Sequence, residues 1–181
     1  LLKLVEQFGL EIFDIRKQSV HGGTLRIFVS KKDNYPINNS VNTIIDNENK
    51  LGLGKIDFYQ KFSIEVKDLK KNLLKILIQL KKENKSIFGY GAPAKGNVLL
   101  NYCGIDTKFL DYIVDTTPLK QGKFTPGTHI PVFSPKKIKK NSENVALLLA
   151  WNYKFEILEK EKKFKEFGGK FLIPIPSPEL I

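Results

Sequence analysis

The segment Gly89-Tyr90-Gly91-Ala92-Pro93-Ala94-Lys95-Gly96 holds the residues whose types and spacing best suit chemistry. It carries a G-x-G-x-x-A pattern, follows the apolar pair Ile87-Phe88 and opens onto a helical pattern. Glycines at such a turn let the backbone come close to a ligand. The helix start behind it offers free N–H groups and the positive end of its dipole to an anion. Pro93 suits that start, where its missing N–H is not needed. Lys95 adds a mobile positive charge, and Asn97 follows inside the helix. Asp115 ends the next predicted strand, about where a dinucleotide-binding unit places its ribose-binding carboxylate. Gly89 to Asn97 together with Asp115 predict a phosphate or nucleotide site. The plainer alternative is a tight turn.

A long loop begins at Asp115 and reaches Pro131, with Lys120, Gly122, Pro126, Gly127 and His129 as candidate contacts. Ligands of open α/β sheets bind outside the carboxyl ends of the strands. Long loops in compact domains are commonly functional, the alternative being a disordered surface excursion. His129 reads equally as a substrate hydrogen-bond donor or as a satisfied loop histidine. Trp151-Asn152 closes a continuously apolar run and is a candidate lining for the same mouth, with core packing the alternative for Trp151. His21, the other histidine, precedes Gly22-Gly23, a setting that favours a structural role. One cysteine, Cys103, and two distant histidines cannot make a structural zinc site, so no metal site is expected in this chain.

These residues need a frame. Alternating apolar positions mark strands at 11–17 and 23–29, with a turn between them. Helical patterns cover 1–8, 41–51 and 56–84. In the last of these, Phe62, Val66, Leu69, Leu73, Ile76, Leu77 and Leu80 form one apolar stripe. From residue 85 the pattern alternates: strand 86–89, helix 94–102, strand 112–114, an extended stretch 130–133 and a short helix 135–140. Strand 145–150, helix 152–167 and strand 170–173 complete it. The prediction is an α/β fold, a small doubly wound Rossmann-like parallel sheet preceded by a helix, a β-hairpin and a long helical connection.

Composition excludes some classes. No stretch approaches the about 18 apolar residues of a membrane span, so no membrane is expected as a partner. The lone Cys103 fits a reducing cytoplasm. The net charge of +11 invites a nucleic-acid reading, but Arg16 and Arg26 are the only arginines among 30 cations. Bidentate recognition of guanine and phosphate favours arginine, and the lysines here are interleaved with Glu and Asp as on solvated helix faces. No nucleic-acid partner is expected. The chain opens in the middle of a helical pattern without a methionine, so Leu1 reads as a cut in a longer protein.

Five motifs in order resemble a known family: H-G-G-T-L-R from His21 to Arg26, G-Y-G-A-P-A-K-G from Gly89 to Gly96, and N-Y-C-G-I from Asn101 to Ile105. The other two are D-x-T-P-x-K-x-G-x-x-x-P-G-x-H-I-P from Asp115 to Pro131 and the apolar strand ending in Trp151-Asn152. Together they resemble the C-terminal region of the sugar C-methyltransferases that act on nucleotide-linked 4-keto-6-deoxyhexoses. The resemblance implies a three-part enzyme, with an N-terminal zinc-binding piece and a central Rossmann domain for S-adenosylmethionine. This region would hold the nucleotide-sugar, dTDP-linked in the expectation. It implies deprotonation beside the sugar ketone, then attack of the enolate on the donor's methyl group. The family's zinc cysteines, cofactor glycine loop and Tyr/Glu/His catalytic stretch fall before the position matching Leu1. His21 is then the one catalytic candidate here, at the border of the active site, and the fragment alone should be inactive.

The expected organisation is a tail of the cofactor domain at 1–30, a linker with helices at 31–84 and a Rossmann-like nucleotide-sugar-binding domain at 85–181. An NAD(P)-binding oxidoreductase module would also account for the glycine turn and Asp115. Against it, no acid/base pair for a dehydrogenase substrate is recognisable.

Overall fold

A computed structural model of the chain describes every residue except Lys140, and of His21 the backbone alone. The expected short helix at 135–140 therefore ends outside the described residues; within them it is a 3-10 turn over Pro135–Lys137. The chain divides into two compact units, Leu1–Ile64 and Glu65–Ile181.

The first unit starts with helix α1 (Leu2–Glu6) and the antiparallel pair β1 (Leu10–Gln18) and β2 (Thr24–Lys31). Gly9, at φ +66°, turns the chain from α1 into β1. Helix α2 (Asn39–Leu51) follows. It is tied to β1 through Ser40, whose hydroxyl donates to Asp14 Oδ1 at 2.7 Å and accepts from the Ile15 amide at 3.1 Å. Helix α3 (Ile56–Lys82) begins in this unit and continues into the next.

In the second unit five strands run parallel. They are β3 (Ser86–Tyr90), β4 (Tyr112–Val114), β5 (Val132–Phe133), β6 (Asn144–Leu148) and β7 (Lys170–Ile173). A two-residue strand, β8 (Glu179–Leu180), adds antiparallel to β7. The order β5-β4-β3-β6-β7-β8 is that of a doubly wound sheet. The chain moves outward from β3 through β4 to β5, then returns to the other side of β3 with β6. The reversal puts a crevice at the carboxyl ends of β3 and β6, beside the predicted glycine turn.

Both faces of the sheet are covered, which is why its strands read as unbroken apolar runs. Leu73, Leu77 and Leu80 of α3, with Leu99, Leu100 and Cys103 of α4 (Ala94–Cys103), pack on Ile87, Ile113, Val145 and Leu147. On the other face Phe88, Tyr90, Ala146, Leu148 and Phe171 meet Ile157 of α5 (Lys154–Lys160) and Phe164 of α6 (Lys162–Glu166).

Two expectations need correction. The helix expected over 152–167 is broken into a 3-10 turn at Trp151–Tyr153, then α5 and α6, with Glu161 between them at φ −101° and ψ 27°. The apolar stripe of α3 is buried in its second half, but Phe62 is 58% exposed and Val66 half-buried.

Candidate active site

The glycine turn is held by the strand beside it. The Gly91 amide donates to the Val114 carbonyl at 2.7 Å, and the Ala92 amide to Asp115 Oδ2 at 2.7 Å. Asp115 Oδ1 accepts from the Thr117 amide at 2.8 Å. Lys120 Nζ donates to the Ala92 carbonyl at 2.9 Å and lies 3.4 Å from Asp115 Oδ2, while Gln121 Nε2 donates to the Asp115 carbonyl. One buried carboxylate therefore ties the turn to the loop that follows β4. Burial pushes the Asp115 carboxyl up, but Thr117, the Ala92 amide and the Lys120 ammonium outweigh it and hold the group below the usual carboxylate range.

The glycines serve packing. A Cβ on Gly89 would lie 2.6 Å from Ile113 Cγ1 and 2.9 Å from Leu149 Cδ1. One on Gly91, at φ +86°, would lie 2.8 Å from the Ala150 Cβ, and one on Gly96 2.9 Å from the Leu149 Cβ. The room expected for a ligand is thus taken by side chains at the ends of β4 and β6. What remains for an anion are the amides of Ala94, Lys95 and Gly96, which have no acceptor within α4.

The loop from Thr116 onward is ordered by its own bonds. Gly122, at φ +76°, donates to the Val132 carbonyl, and the Val132 amide returns to Lys123. Thr125 and Thr128 are buried with their hydroxyls 2.7 Å apart, and the Ile130 amide donates to Thr125 Oγ1. Asn101 Nδ2 donates to the carbonyls of Asn97 and Pro126, and a Cβ on Gly127 would collide with its side chain. His129, at φ +52°, is exposed and lines neither of the cavities described below.

Two cavities flank the turn. The larger, about 570 Å³, lies between α4 and the long loop and is lined by Ala92, Pro93, Ala94, Asn97, Lys120 and Pro126 among others. Its remaining wall is largely apolar: Val98, Leu100, Ile113, Leu119, Phe124, Val132 and Leu149, with Lys123 and Thr125. The smaller, about 340 Å³, opens on the α5 side and is lined by Tyr90, Gly91, Asp115, Thr116, Thr117, Tyr153, Glu156 and Lys160. Pro93 and Lys120 border both. Near the same strand ends, Lys95 Nζ lies over the Trp151 ring at 5.2 Å, and Asn152 Oδ1 is buried without a hydrogen-bond partner among the described residues.

The structure thus places Asn97, Lys120 and Pro126 on the larger cavity and Tyr90, Gly91, Asp115 and Lys120 on the smaller. The side chain of His21 lies outside the described residues. Sequence reasoning missed Phe124, Leu119 and Val98, which carry no motif, and Tyr153 of the 3-10 turn with Glu156 and Lys160 of α5. The spacing of the last three, at i, i+3 and i+7, marks one helix face. Among the described residues no three His, Cys, Asp or Glu side chains converge where a metal ion could sit.

Tyr90 lines the smaller cavity, and its hydroxyl donates to Glu161 Oε1 at 2.8 Å. Burial, reinforced by the Glu161 bond and by the charges of Glu161 and Asp115, pushes the phenol well above its ordinary value. It stays protonated as a donor. Tyr90→Phe should lower stability by about 1 kcal/mol, from the orphaned Glu161 acceptor. Chemical denaturation checks this, and an unchanged midpoint would show the bond to be neutral.

A mostly parallel sheet of this order, with helices on both faces, defines a Rossmann-like α/β domain. The chain belongs to the C-methyltransferase C-terminal domain family, whose profile matches residues 19–176. It is similar to the C-methyltransferase NovU of Streptomyces niveus, 35% identical over 182 residues. That alignment takes in 100% of this chain, which spans 43% of the relative's length.

Proposed function

We propose that this chain is the substrate-holding part of an S-adenosylmethionine-dependent C-methyltransferase, and that it binds a nucleotide-linked keto-deoxysugar, dTDP-linked in the simplest case. The observation that carries the reading is the mouth itself. Ala94, Lys120 and Lys123 border a largely apolar cavity large enough for a nucleoside, and beside it the amides of Ala94, Lys95 and Gly96 have no acceptor within α4. A diphosphate suits the amides and lysines through charge-assisted hydrogen bonds. In the full reaction the carbon beside the sugar ketone loses a proton and gains a methyl group, which S-adenosylmethionine supplies.

The residues here do not fit that cofactor. The acid that would take a ribose, Asp115, is already bound by two amides and Lys120. No step of the chemistry is assigned to them. The same engagement of Asp115, with the family membership, disfavours an NAD(P)-binding oxidoreductase. His21 as a group bordering the reacting sugar, and the cytoplasm as the setting, belong to the proposal.

A thermal-shift panel with dTDP, UDP, GDP, a dTDP-sugar, NAD and S-adenosylmethionine tests it. A ligand at a hundred times its Kd should stabilise the fold by about 2.7 kcal/mol. Stabilisation by a nucleoside diphosphate or its sugar, and not by NAD, is expected; a response to NAD alone would overturn the reading. Lys95→Ala should weaken nucleoside diphosphate binding about tenfold, as loss of one phosphate contact. Its effect on stability should stay near the about 0.5–1 kcal/mol of an exposed cation–π contact. Titration calorimetry separates the two, and an unchanged Kd would remove Lys95 from the site.

A further inference from the structure

The end of β6 meets the glycine turn and the first turn of α4 at three consecutive residues. Leu149 closes on Gly96 and Ala150 on Gly91, where an added Cβ would lie 2.9 Å from the Leu149 Cβ and 2.8 Å from the Ala150 Cβ. Trp151 is the third, with Lys95 Nζ 5.2 Å from the centre of its ring. The amides of Leu149 and Ala150 both donate to the Tyr90 carbonyl, at 3.0 and 3.3 Å, which fixes this strand end to β3. Trp151 itself is half-buried and packs against the core cluster that contains Leu149. The ring is thus a fixed surface, and the lysine is the adaptable member of the pair.

Two lysines at the turn are held in opposite ways. Lys120 lies 3.4 Å from the Asp115 carboxylate and donates to the Ala92 carbonyl, so its charge is met inside the protein. Lys95 has no carboxylate within ion-pair distance among the described residues; its partner is the neutral ring. A ring face attracts an ammonium through its quadrupole without neutralising it. An ammonium has three donors, and those turned away from the ring stay open. A carboxylate in the same place would hold the side chain too, but would cancel the charge that an incoming anion meets. An exposed contact of this kind contributes little to stability. Its consequence is a lysine restrained in place with its charge left open.

We infer that Trp151 is a positioning residue, whose ring holds the Lys95 ammonium, uncompensated, beside the first turn of α4 to meet the anionic part of the ligand. The inference rests on the nucleotide-sugar reading above and adds to it a residue that acts through Lys95. Binding an anion to a free lysine costs the ordering of a long side chain. Here the ring has restricted that side chain in advance.

The test uses inorganic pyrophosphate as the probe, titrated calorimetrically into the wild-type chain, Trp151→Leu, Lys95→Ala and the double variant. Trp151→Leu should weaken pyrophosphate about two- to tenfold, the effect of returning one long side chain to its free rotamers. Trp151→Phe, which keeps a ring face, should recover part of that loss. In the Lys95→Ala background Trp151→Leu should leave the Kd where it is, because the lysine through which the ring acts is gone. A tryptophan needed only for structure would weaken binding by the same factor in both backgrounds; that result overturns the inference and leaves the nucleotide reading standing. Unchanged affinity in Trp151→Leu does the same. A second readout depends on no Trp151 variant folding, since Trp151 is the chain's only tryptophan. Pyrophosphate should change its fluorescence in the wild type and not in Lys95→Ala. Binding seen as heat but silent in the wild-type fluorescence would place the anion away from the pair and overturn the inference. A wild-type protein that binds neither dTDP nor pyrophosphate sinks the nucleotide reading and the inference with it.

Discussion

Gly91→Val should destabilise the second unit by on the order of 4 kcal/mol, through two separate effects. The first is backbone strain. Gly91 sits at φ +86°, where a β-branched side chain meets its own carbonyl oxygen, at a cost of about 1–3 kcal/mol. The second is overpacking. The new Cβ would stand 2.8 Å from that of Ala150, and 3.6 Å from Pro93 Cδ, in a turn pinned by bonds from Gly91 to Val114 and from Ala92 to Asp115. Forcing extra methyl groups into such a place costs about 1–3 kcal/mol more. Gly122→Val is the matched control. Gly122 has φ +76° but nothing within 4 Å of its Cβ position, so it should show the backbone cost alone. The two variants are compared by denaturant midpoint. Equal losses would mean that the Ala150 contact yields freely and that the turn is not packed as described.

That contrast bears on what the sequence could tell. The G-x-G-x-x-A turn was legible because a short apolar run, glycines and a helix start occur together. The reason for the glycines was not, since Ile113, Leu149 and Ala150, which fill their missing side chains, lie 24, 53 and 59 residues beyond the nearest glycine they crowd. Local pattern carries backbone conformation; it does not carry contacts across a sheet. The break at Glu161 shows the same limit. The apolar spacing through 152–167 continues past it, and the Tyr90 hydroxyl that binds Glu161 comes from 71 residues earlier. Strand β8 was hidden for a different reason: Pro174, Pro176 and Pro178 mark the stretch before it as non-strand, yet Glu179 and Leu180 reach back to pair with Ile173 and Leu172.

The parallel strands themselves were plain, because burial on both faces leaves no polar alternation to confuse them. The mouth was half legible. Charged and glycine positions stand out in a sequence, whereas Val98, Leu119 and Phe124 look like any core residue until the structure shows them exposed. The long loop was expected to be either functional or disordered. Its internal bonds from Thr125 to Ile130, and Gly122 to Val132, explain how a segment without regular structure presents fixed side chains. Lys120 follows from this. It is a candidate phosphate ligand, but its ammonium also fastens Ala92 and Asp115, so removing it should loosen the turn as well as weaken binding.

Asp115→Ala should be the most damaging polar substitution, and its damage should depend on pH. The wild-type carboxylate satisfies the Ala92 and Thr117 amides and holds the Lys120 ammonium. Alanine leaves both amides without an acceptor in a half-buried setting, at a cost of about 1–3 kcal/mol each, so a total near 3 kcal/mol is expected. Because the folded-state pKa lies below the ordinary value, the unfolded chain takes up its proton first as the solution is acidified. The stability that Asp115 provides is therefore complete above the unfolded value of about 3.9 and is lost as pH falls through the lower folded value. Denaturation midpoints of wild type and variant should differ by a constant amount from pH 5 to 8 and converge below about pH 4. A gap that persists undiminished well below that range would show that the carboxyl's charge is not what braces the turn. A gap absent at neutral pH would remove Asp115 as the tie between the turn and the loop, and with it the geometry on which the anion site is built.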